Sequence, residues 1–447
     1  MKRAAFHNLG CKVNEYEMEF MQQALKEKGY TIVPFDDKAD IYIINTCTVT
    51  NIADRKSRQM LHRAKKNNPD AVVVAVGCYV QTDSQEALKD TSIDLAIGNN
   101  RKKDLVPILE EYLASRQKEK TLNGSTIIDI AHTDEYEDVK LTSTGERTRA
   151  FIKIQDGCNQ FCSYCIIPYA RGRIRSRDQD EILSEIRGLA DKGYKETVLT
   201  GIHLSSYGMK SGNDFRESRL LELICKVQEI PGIERIRLGS LEPRIITREF
   251  AKELSRQSSV CPHFHLSLQS GCDTVLKRMN RKYTTEEYYE KVCILREYFD
   301  QPAITTDVIT GFPGETEEEF EQTKAFLTKV GFYEMHIFKY SKRKGTPAAA
   351  MDGQIPEQLK ASRSASLQLL GQKMSHAYRQ AYLHKETAVL FEEAVEIDGK
   401  MYQLGYTPEY IRAAAKTEES LSGRIVTGRL EDFLSPQSNS EILRIKF

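Results

Sequence analysis

Six of the ten cysteines in this 447-residue chain fall into two groups of three, and both groups could hold iron. The first group is compact, with gaps of three and two residues between its members, Cys158, Cys162 and Cys165. The second group is dispersed over the amino-terminal part of the chain and consists of Cys11, Cys47 and Cys78. The usual iron–sulfur cage takes four cysteine thiolates. Each group offers one thiolate fewer, so each would leave one iron open for chemistry.

A short apolar run precedes each dispersed cysteine: Ala4–Phe6, Ile41–Ile44 and Val72–Val76. Such runs, rich in Val and Ile and separated by helical patterns, indicate buried strands of a parallel sheet. Residues at the carboxyl ends of parallel strands lie along one rim, where an open α/β sheet builds its ligand site. The sequence therefore predicts that these three distant thiols meet in space.

The elements that position the dispersed cysteines form a small doubly wound α/β domain, assigned to residues 1–114. Predicted helices alternate with the strands, at Glu15–Lys28, Arg55–Lys66 and Asp83–Leu88. Residues 115–146 are charged and poor in large apolar groups apart from Thr126–Ile130. We therefore predict a linker there that carries one short strand.

The compact cysteine group lies near the start of a second pattern of strands and helices, assigned to residues 147–375. Six strands are predicted, at Ala150–Ile154, Glu196–Thr200, Arg235–Leu238, His263–Leu268, Ile304–Ile309 and Glu334–Phe338. Several helices between them begin with pairs that can satisfy free amide groups, such as Thr284 with Glu287. Six strand–helix units are too few for an eight-stranded barrel, so we predict an open, partial (βα)6 barrel. Its functional face is the carboxyl ends of the strands, and the compact group follows the first strand.

A long helical pattern over Glu357–His384 closes the barrel domain, and the composition changes over residues 376–447. Short strand-like runs separated by turn residues predict a small β-barrel, with strands at Thr387–Phe391, Lys400–Tyr406, Gly423–Leu430 and Ile442–Phe447. Small barrels of this type often bind RNA. Acidic residues outnumber basic ones in this segment, so charge alone does not support that role.

The composition excludes several classes of protein. Lys plus Arg and Asp plus Glu both number 64, so net charge says nothing about partners. Ten cysteines in a chain of this length are too few for a secreted disulfide scaffold. The amino terminus lacks an apolar stretch of signal-peptide length, and no run reaches the roughly 18 to 20 apolar residues of a membrane span. We expect a soluble, cytoplasmic protein with no membrane partner.

Neutral net charge hides four clusters of basic residues, three after predicted barrel strands and one after Cys47. Their members are Arg171, Arg173, Arg175 and Arg177; Lys277, Arg278, Arg281 and Lys282; Lys339, Lys342, Arg343 and Lys344; and Arg55, Lys56, Arg58, Arg63, Lys65 and Lys66. One such cluster usually marks a solvated face. Four clusters converging on one mouth favour a polyanion, and RNA fits better than a small metabolite.

Spacing alone leaves the chemistry of the compact group open, because a cysteine-rich loop can also hold structural zinc with a fourth ligand from elsewhere. The position of the loop favours a cluster, since it lies at the mouth of a barrel, where ligands bind. A four-iron cluster on three thiolates keeps one iron free. That iron can take the amino and carboxylate groups of S-adenosylmethionine, and the protein then positions radical chemistry that belongs to the cofactor.

The CxxxCxxC motif followed by a six-unit barrel resembles the radical S-adenosylmethionine superfamily. The segment GCNQFCSYCIIPYARGRIRSR, residues 157–177, is more specifically similar to the methylthiotransferases. In that family an amino-terminal α/β domain holds a second cluster through three cysteines, and a carboxyl-terminal β-barrel is called the TRAM domain. The motif LGCKVN, residues 9–14, resembles the branch that acts on N6-threonylcarbamoyladenosine in tRNA. The isopentenyl-adenosine branch reads YGCQMN there, and the branch acting on a ribosomal protein reads LGCPKN.

The resemblance implies two [4Fe-4S] clusters, on the compact and the dispersed cysteines, together with S-adenosylmethionine. It implies a methylthio group placed on carbon 2 of the modified adenosine beside the anticodon. The implied partners are the anticodon stem-loop of tRNA and an electron donor such as a flavodoxin-type reductant. By the same likeness Tyr164 packs near the adenine of the cofactor. Position and polarity add further candidates for the cofactor pocket, namely Gly201, Ser240, Glu242, Gln269 and Asp307.

Three alternatives remain open from the sequence. The same chemistry could act on another tRNA adenosine or on an aspartate of a ribosomal protein. A non-catalytic RNA-binding protein with two structural metal sites would explain the basic clusters, but not why both sites lack a fourth cysteine. A radical enzyme that cleaves the cofactor without transferring sulfur is disfavoured by the strand-end cysteines. Histidines in or beside strands are expected to be structural, namely His203, His263, His265 and His336.

Overall fold

The computed structural model describes residues 2–115, 127–143, 148–210, 214–434 and 441–447, and its first part is a five-stranded parallel sheet. The strands are β1 (Arg3–Asn8), β2 (Thr31–Val33), β3 (Ile41–Thr46), β4 (Val72–Gly77) and β5 (Leu95–Ile97). Their order in the sheet is β2-β1-β3-β4-β5. The helices are α1 (Lys12–Glu27), α2 (Asn51–Asn67), α3 (Cys78–Thr82), α4 (Ser84–Lys89) and α5 (Leu105–Ser115).

Separate apolar cores form on the two faces of this sheet. One core packs α1 and α5 against the strands, and the other packs α2, α3 and α4. The predicted doubly wound domain is therefore confirmed. The sequence pattern missed β2 and β5, which have three residues each and lie at the two edges.

The second part is an open barrel of parallel strands. Its strands are β6 (Arg149–Asp156), β7 (Arg175–Ser176), β8 (Glu196–Gly201), β9 (Arg235–Leu238), β10 (His263–His265), β11 (Ala303–Thr310) and β12 (Glu334–Lys339). One sheet has the order β7-β6-β8-β9 and the other β10-β11-β12, and the bridge between Leu241 and Leu266 joins them. Apart from the two-residue β7, which is antiparallel to β6, these are the six predicted strands.

Helix α6 (Ile167–Arg171) follows the compact cysteines and packs against α3. The helices that cover the outside of the strands are α7 (Gln179–Ala190), α8 (Leu220–Gln228), α9 (Arg248–Ser255), α10 (Asp273–Arg278), α11 (Thr285–Tyr298), α12 (Glu317–Val330) and α13 (Glu357–Gln380). The start of α11 is the predicted capping box, in which Thr284 and Glu287 each bond the backbone of the other. A second capping box, formed by Thr316 and Glu319, lies at the start of α12.

The inner face of the barrel is polar. On β10, Phe264 packs into the core shared with the helices, so His263 and His265 face the interior. The same alternation turns charged residues of the other strands inward, namely Arg149, Lys153, Glu196, Arg235, Arg237, Asp307, Glu334 and His336. A full eight-stranded barrel fills its interior with branched apolar side chains. The interior of this barrel, which we call the lumen, is instead lined by charged side chains that suit a polar ligand.

The strand predicted at Thr126–Ile130 is wrong for its described residues. Thr126 lies outside the described residues, and Ile130–His132 forms a turn of 3-10 helix. The backbone there bonds to side chains rather than to a sheet: Gln81 donates to the Ile128 carbonyl (2.9 Å), and the Ala131 amide donates to Asp129 (3.1 Å). This competition by polar side chains removes the segment from any strand pairing.

The carboxyl-terminal part is a closed barrel. Its strands are β13 (Glu386–Ile397), β14 (Lys400–Tyr406), β15 (Arg412–Ala415), β16 (Ile425–Leu434) and β17 (Ile442–Lys446), in the order β13-β14-β15-β17-β16. The predicted small barrel is confirmed, with β15 as an additional short strand. No helix in the described part of the chain has the length and apolar character needed to cross a membrane.

Candidate functional site

The three dispersed cysteines come together at one rim of the parallel sheet. Cys11 follows β1, Cys47 follows β3, and Cys78 is the first residue of α3 directly after β4. β1 and β3 are the neighbouring strands where the chain reverses its direction across the sheet, which is where open α/β sheets bind ligands. Burial raises the pKa of the Cys47 thiol to about 12, and the nearby Cys78 and Cys11 thiols raise it further. The three thiols thus lie within electrostatic reach of one another.

Two residues hold the loop after β1 against the end of β3. Gly10 has a φ of +109°, and a Cβ at this position would lie 3.1 Å from the Sγ of Cys47, so glycine leaves room for the thiol. Asn14, near the start of α1, donates its side-chain amide to the carbonyls of Leu9 (2.6 Å) and Thr46 (3.1 Å). The motif LGCKVN therefore contains the groups that shape its own cysteine loop.

The compact cysteines lie in the loop after β6, which is anchored on two sides. Gly157 has a φ of +73°, and a Cβ there would overlap the carbonyl oxygen of Arg173 at 1.8 Å, so the turn requires glycine. On the other side, Ser163 donates its amide to the Met279 carbonyl (3.0 Å) and its hydroxyl to the Arg278 carbonyl (2.8 Å). These bonds fix the loop against the segment that follows α10.

Arg281 is the cation beside the compact cysteines. Its Nη1 donates to the Sγ of Cys162 (3.3 Å), its Nη2 to the Ser267 carbonyl (3.2 Å) and its Nε to the Tyr283 hydroxyl (2.9 Å). The guanidinium thus places a positive charge beside the sulfur of one proposed cluster ligand. Sequence reasoning counted Arg281 among the RNA-binding cations, because nothing in the sequence distinguishes it from its exposed neighbours.

One interface joins the elements that carry the two cysteine groups. Helix α3, which begins at Cys78, packs against α6, which follows Cys165. The Nδ2 of Asn99 donates to the Ala170 carbonyl in α6 (2.7 Å) and lies 3.5 Å from the Sγ of Cys78. The thiols of the two groups are therefore fixed relative to each other by elements a few residues away from them.

A buried ion network closes the same interface. Glu17 of α1 accepts hydrogen bonds from Lys153 (2.7 Å) and Arg171 (2.8 and 3.0 Å), and it also binds Lys102. Asp156 pairs with Lys153 (2.7 Å) and Arg171 (3.2 Å). Burial alone would raise the pKa of Glu17, but the three cations hold it well below its ordinary value. The network joins the amino-terminal domain to the barrel through charge.

Three of the four arginines after the compact cysteines are therefore structural, and the prediction that they face RNA is wrong. Arg171, Arg175 and Arg177 are buried, whereas Arg173 is exposed. Arg177 binds the buried carboxylate of Glu185. The carboxylates inside the interface take up these cations because a buried charge must be paired.

The donor atoms at both groups fit iron–sulfur clusters. All six cysteines are free of disulfides. Burial raises the pKa of Cys158 to about 12 and raises the pKa of Cys165 as well. These thiols therefore keep their protons at neutral pH until a metal displaces them. Sulfur donors in threes suit a cluster that retains an open iron.

Glu242 has the environment of a ligand-binding group among the predicted pocket residues. Its Oε1 accepts from Arg244 (2.5 Å), whereas its Oε2 is buried with no hydrogen-bond partner within the described ranges. The carboxylate lies within electrostatic reach of Cys158 and of His203. A buried carboxylate oxygen without a donor calls for one from a ligand, such as an amino group.

The other predicted pocket residues differ in environment. Tyr164 is half-buried and packs into an apolar cluster behind the cysteine loop. Gly201 ends β8, and Ser240 is exposed just beyond β9. Gln269 has a φ of +75°, and its backbone N–H donates to the backbone carbonyl of Asp307 (2.9 Å). Asp307 itself faces the lumen rather than the cysteine loop.

Two histidines that were expected to be structural lie beside Asp307 in the lumen. The Nε2 of His265 is 3.4 Å from the Oδ2 of Asp307, and its Nδ1 bonds the Thr305 hydroxyl (3.0 Å). The rings of His265 and His336 stack with their centres 5.8 Å apart. Among the residues that the structure describes, no other three His, Cys, Asp or Glu donors lie within 4.8 Å of one another.

An exposed basic surface spans the two domains near the dispersed cysteines. Arg343 is buried and binds Asp54 (2.6 Å) and Asn51 (2.6 Å) at the start of α2. Its neighbours Lys342 and Lys344 are exposed. The exposed basic residues of α2 beside them are Arg55, Lys56 and Arg58. We call these five exposed residues the basic face.

An open barrel with three cysteines at its mouth defines a protein of the radical S-adenosylmethionine class. The Radical SAM superfamily profile matches residues 152–327, and the profile described as Uncharacterized protein family UPF0004 matches residues 3–98. The chain is 41% identical over its whole length to the threonylcarbamoyladenosine tRNA methylthiotransferase MtaB of Bacillus subtilis, and covers 97% of that protein. It is 42% identical to MtaB of Aquifex aeolicus, over 88% of this chain and 93% of the relative. The chain belongs to the methylthiotransferase family.

A further relative and a solved structure extend the comparison. The tRNA-2-methylthio-N(6)-dimethylallyladenosine synthase of Acetivibrio thermocellus is 35% identical, over 99% of this chain and 91% of the relative. The structure of the radical S-adenosylmethionine methyltransferase TsrM from Kitasatospora setae matches with a TM-score of 0.56 at 15% identity, over 78% of this chain and 77% of TsrM. At that identity the likeness shows the fold alone.

Proposed function

We propose that this chain is a tRNA methylthiotransferase that inserts a methylthio group at carbon 2 of N6-threonylcarbamoyladenosine beside the anticodon. One observation carries the proposal: two groups of three thiols, each without a fourth cysteine, lie on either side of one interface. Replacing a carbon-bound hydrogen by sulfur needs two functions side by side, one that removes the hydrogen and one that delivers the sulfur. Two structural zinc sites would need neither an open coordination position nor a shared interface.

In this proposal one [4Fe-4S] cluster is held by Cys158, Cys162 and Cys165, and a second by Cys11, Cys47 and Cys78. When bound, the first cluster with S-adenosylmethionine would supply the 5′-deoxyadenosyl radical, the second would carry the sulfur to be inserted, and a second S-adenosylmethionine would supply the methyl group. Arg281 donates a hydrogen bond to the Cys162 sulfur, and Asn99 donates one to the Cys78 sulfur, so each orients one proposed cluster ligand. The Glu17 network holds the two groups at a fixed separation.

Glu242 is the proposed anchor for the amino group of S-adenosylmethionine. Its unpartnered Oε2 supplies the acceptor, and Arg244 orients the carboxylate by binding the other oxygen. Arg244 also donates to the Gln160 side chain in the cysteine loop (3.0 Å), so the carboxylate and the loop are positioned together. Tyr164, Gly201, Ser240, Gln269 and Asp307 remain candidates for the rest of the cofactor pocket.

The basic face is the proposed contact for the phosphates of the anticodon stem-loop. Its lysines and arginines come from both domains and lie beside the loop of Cys47. Cations on one surface attract a polyanion and position it without reading its sequence. A flavodoxin-type reductant is the expected electron donor. We expect the protein in the cytoplasm, because its proposed substrate is tRNA.

Mass spectrometry of tRNA nucleosides tests the proposal directly. In cells that lack this gene, 2-methylthio-N6-threonylcarbamoyladenosine should disappear and its unthiolated precursor should rise, relative to the parent strain. The plasmid-borne gene should restore the parent profile. An unchanged nucleoside profile would contradict the tRNA assignment and direct the search to a ribosomal-protein aspartate.

A further inference from the structure

Lys12, the first residue of α1, extends into the lumen directly beside Cys11. Its Nζ lies 5.9 Å from the centre of the Phe151 ring on the inner face of β6. The ammonium group is within electrostatic reach of Tyr410 in the carboxyl-terminal barrel and of His263 on β10. All three parts of the chain therefore surround this group, although the side chain remains accessible to solvent.

Lys12 has no directly paired carboxylate among the described residues, in contrast to the cations around it. Within the described part of the chain, its ammonium group makes no ion pair and no hydrogen bond. The neighbouring lumen cations are neutralised in pairs: Arg149 with Glu392 (3.2 Å), Arg237 with Glu196 (2.7 Å) and Lys153 with Glu17 (2.7 Å). Glu196, the carboxylate within electrostatic reach of Lys12, is thus already paired with Arg237, and no described carboxylate pairs directly with Lys12.

The position of Lys12 on its helix adds to this unbalanced charge. The first turn of a helix already carries the positive end of the helix dipole, so a lysine there is unfavourable and an anion is favoured. The nearby cations Arg149 and Arg237 also repel its charge, and an anionic ligand would offset that repulsion. Lys12 is therefore placed to bind a negatively charged group that enters the lumen.

We infer that Lys12 binds the carboxylate of the threonylcarbamoyl group and so selects this acidic adenosine over adenosines with an uncharged N6 substituent. This inference rests on the proposed function. Carbon 2 and N6 are attached to the same six-membered ring of adenine. A base whose carbon 2 faces the thiols of the dispersed group therefore carries its N6 substituent close to the residue that follows Cys11. A dimethylallyl group would offer this ammonium nothing to bind.

Two anticodon stem-loop RNAs test the inference with the holoenzyme. One carries N6-threonylcarbamoyladenosine, and the other carries its methyl ester, which removes the charge and keeps the shape. Fluorescence anisotropy measures Kd, and product formation measures KM. The wild-type protein should bind the acid about 10- to 100-fold more tightly than the ester, because a charge-assisted hydrogen bond is lost in the ester. Lys12→Gln should bind both RNAs with the affinity that the wild type shows for the ester.

Two further variants serve as controls. Lys12→Arg keeps the charge and should keep a preference for the acid. Lys342→Gln on the basic face should weaken binding of the acid and the ester by the same factor, because its proposed partner is a phosphate that both RNAs share. Iron and sulfide contents of Lys12→Gln that match the wild type show that the variant has folded with its clusters.

Five outcomes would overturn the inference. Lys12→Gln could retain the preference for the acid. It could instead weaken the binding of both RNAs by the same factor, which would mean that Lys12 contacts a phosphate. A selective rise in the Kd for S-adenosylmethionine would assign Lys12 to the carboxylate of the cofactor. A wild type that methylthiolates the acid but binds the ester equally well would refute the role of Lys12 and leave the proposed function intact. A wild type that methylthiolates neither RNA would refute both.

Discussion

Replacing Glu17 by Gln should disconnect the amino-terminal domain from the barrel. Glu17 accepts hydrogen bonds from Lys102, Lys153 and Arg171, all of them buried. Asp156 still pairs with Lys153 and Arg171 after the substitution. Lys102 is then buried with no carboxylate partner among the described residues. Removing one partner from a buried ion network destabilises a protein by about 3–5 kcal/mol, and we expect a loss in this range.

The same carboxylate makes the interface sensitive to acid. Burial alone would raise the pKa of Glu17, but Arg171, Lys102 and Lys153 hold it well below its ordinary value of 4.5. A carboxyl whose pKa is lowered by folding contributes stability above its unfolded pKa, and this contribution is lost as the pH falls through the folded pKa. The difference in stability between the wild type and Glu17→Gln should therefore be constant near neutral pH. It should shrink as the pH falls below 4.5.

Urea denaturation followed by circular dichroism measures this effect as the free energy of the first unfolding transition. The matched control is Asp37→Asn on the same domain, which removes an exposed ion pair between Asp37 and Arg3 (3.1 Å). Exposed pairs contribute about 0–1 kcal/mol, so this control should remain close to the wild type. A loss below about 1 kcal/mol for Glu17→Gln would refute the structural role assigned to the network.

Three further predictions concern the site. Cys47→Ala should still form 5′-deoxyadenosine but yield no thiolated tRNA, as measured by mass spectrometry, and a thiolated product would contradict the second-cluster assignment. Glu242→Gln should raise the KM for S-adenosylmethionine about tenfold or more, because an ionic hydrogen bond is lost. Glu249→Gln, on the exposed face of α9, is its control, and an equal rise in both variants would rule out a specific contact. Changing Lys342 and Lys344 together to Gln should reduce the slope of log Kd for tRNA against log salt by about 1.4 to 1.8, and an unchanged slope would remove them from the RNA contact.

The sequence was sufficient to predict the framework that carries the thiols. A short run rich in Val and bounded by turn residues, such as Val72–Val76, favours a buried parallel strand, and β4 extends that run by a single residue. The cysteine after each run must then lie at a strand end. The short edge strands β2 and β5 escaped prediction because three residues carry too little pattern to distinguish a strand from a loop.

The roles of the charged residues could not be predicted in the same way. Arg171 and Arg173 are two residues apart in one basic run, yet Arg171 is buried and Arg173 is exposed. The difference depends on Glu17, which lies 154 positions before Arg171. A local pattern holds no information about a partner so distant, whereas burial of an apolar residue follows from the residue itself. Lys12 is the opposite case. Its proposed role depends on having no directly paired carboxylate within the described part of the protein, and the sequence cannot show this either.

The use of charge at the interface between the two cysteine groups has a physical rationale. A buried ion network is a weak source of stability, because desolvation offsets much of the attraction and apolar packing of equal volume often does better. Its advantage is geometry: the planar guanidinium of Arg171 meets both oxygens of Glu17 in one orientation, whereas apolar surfaces tolerate sliding. Sulfur delivery requires the two thiol groups to keep one separation, and cofactor cleavage requires only one of them. Loss of Glu17 should therefore impair sulfur transfer more than 5′-deoxyadenosine formation, and equal losses would mean that the network only supports folding.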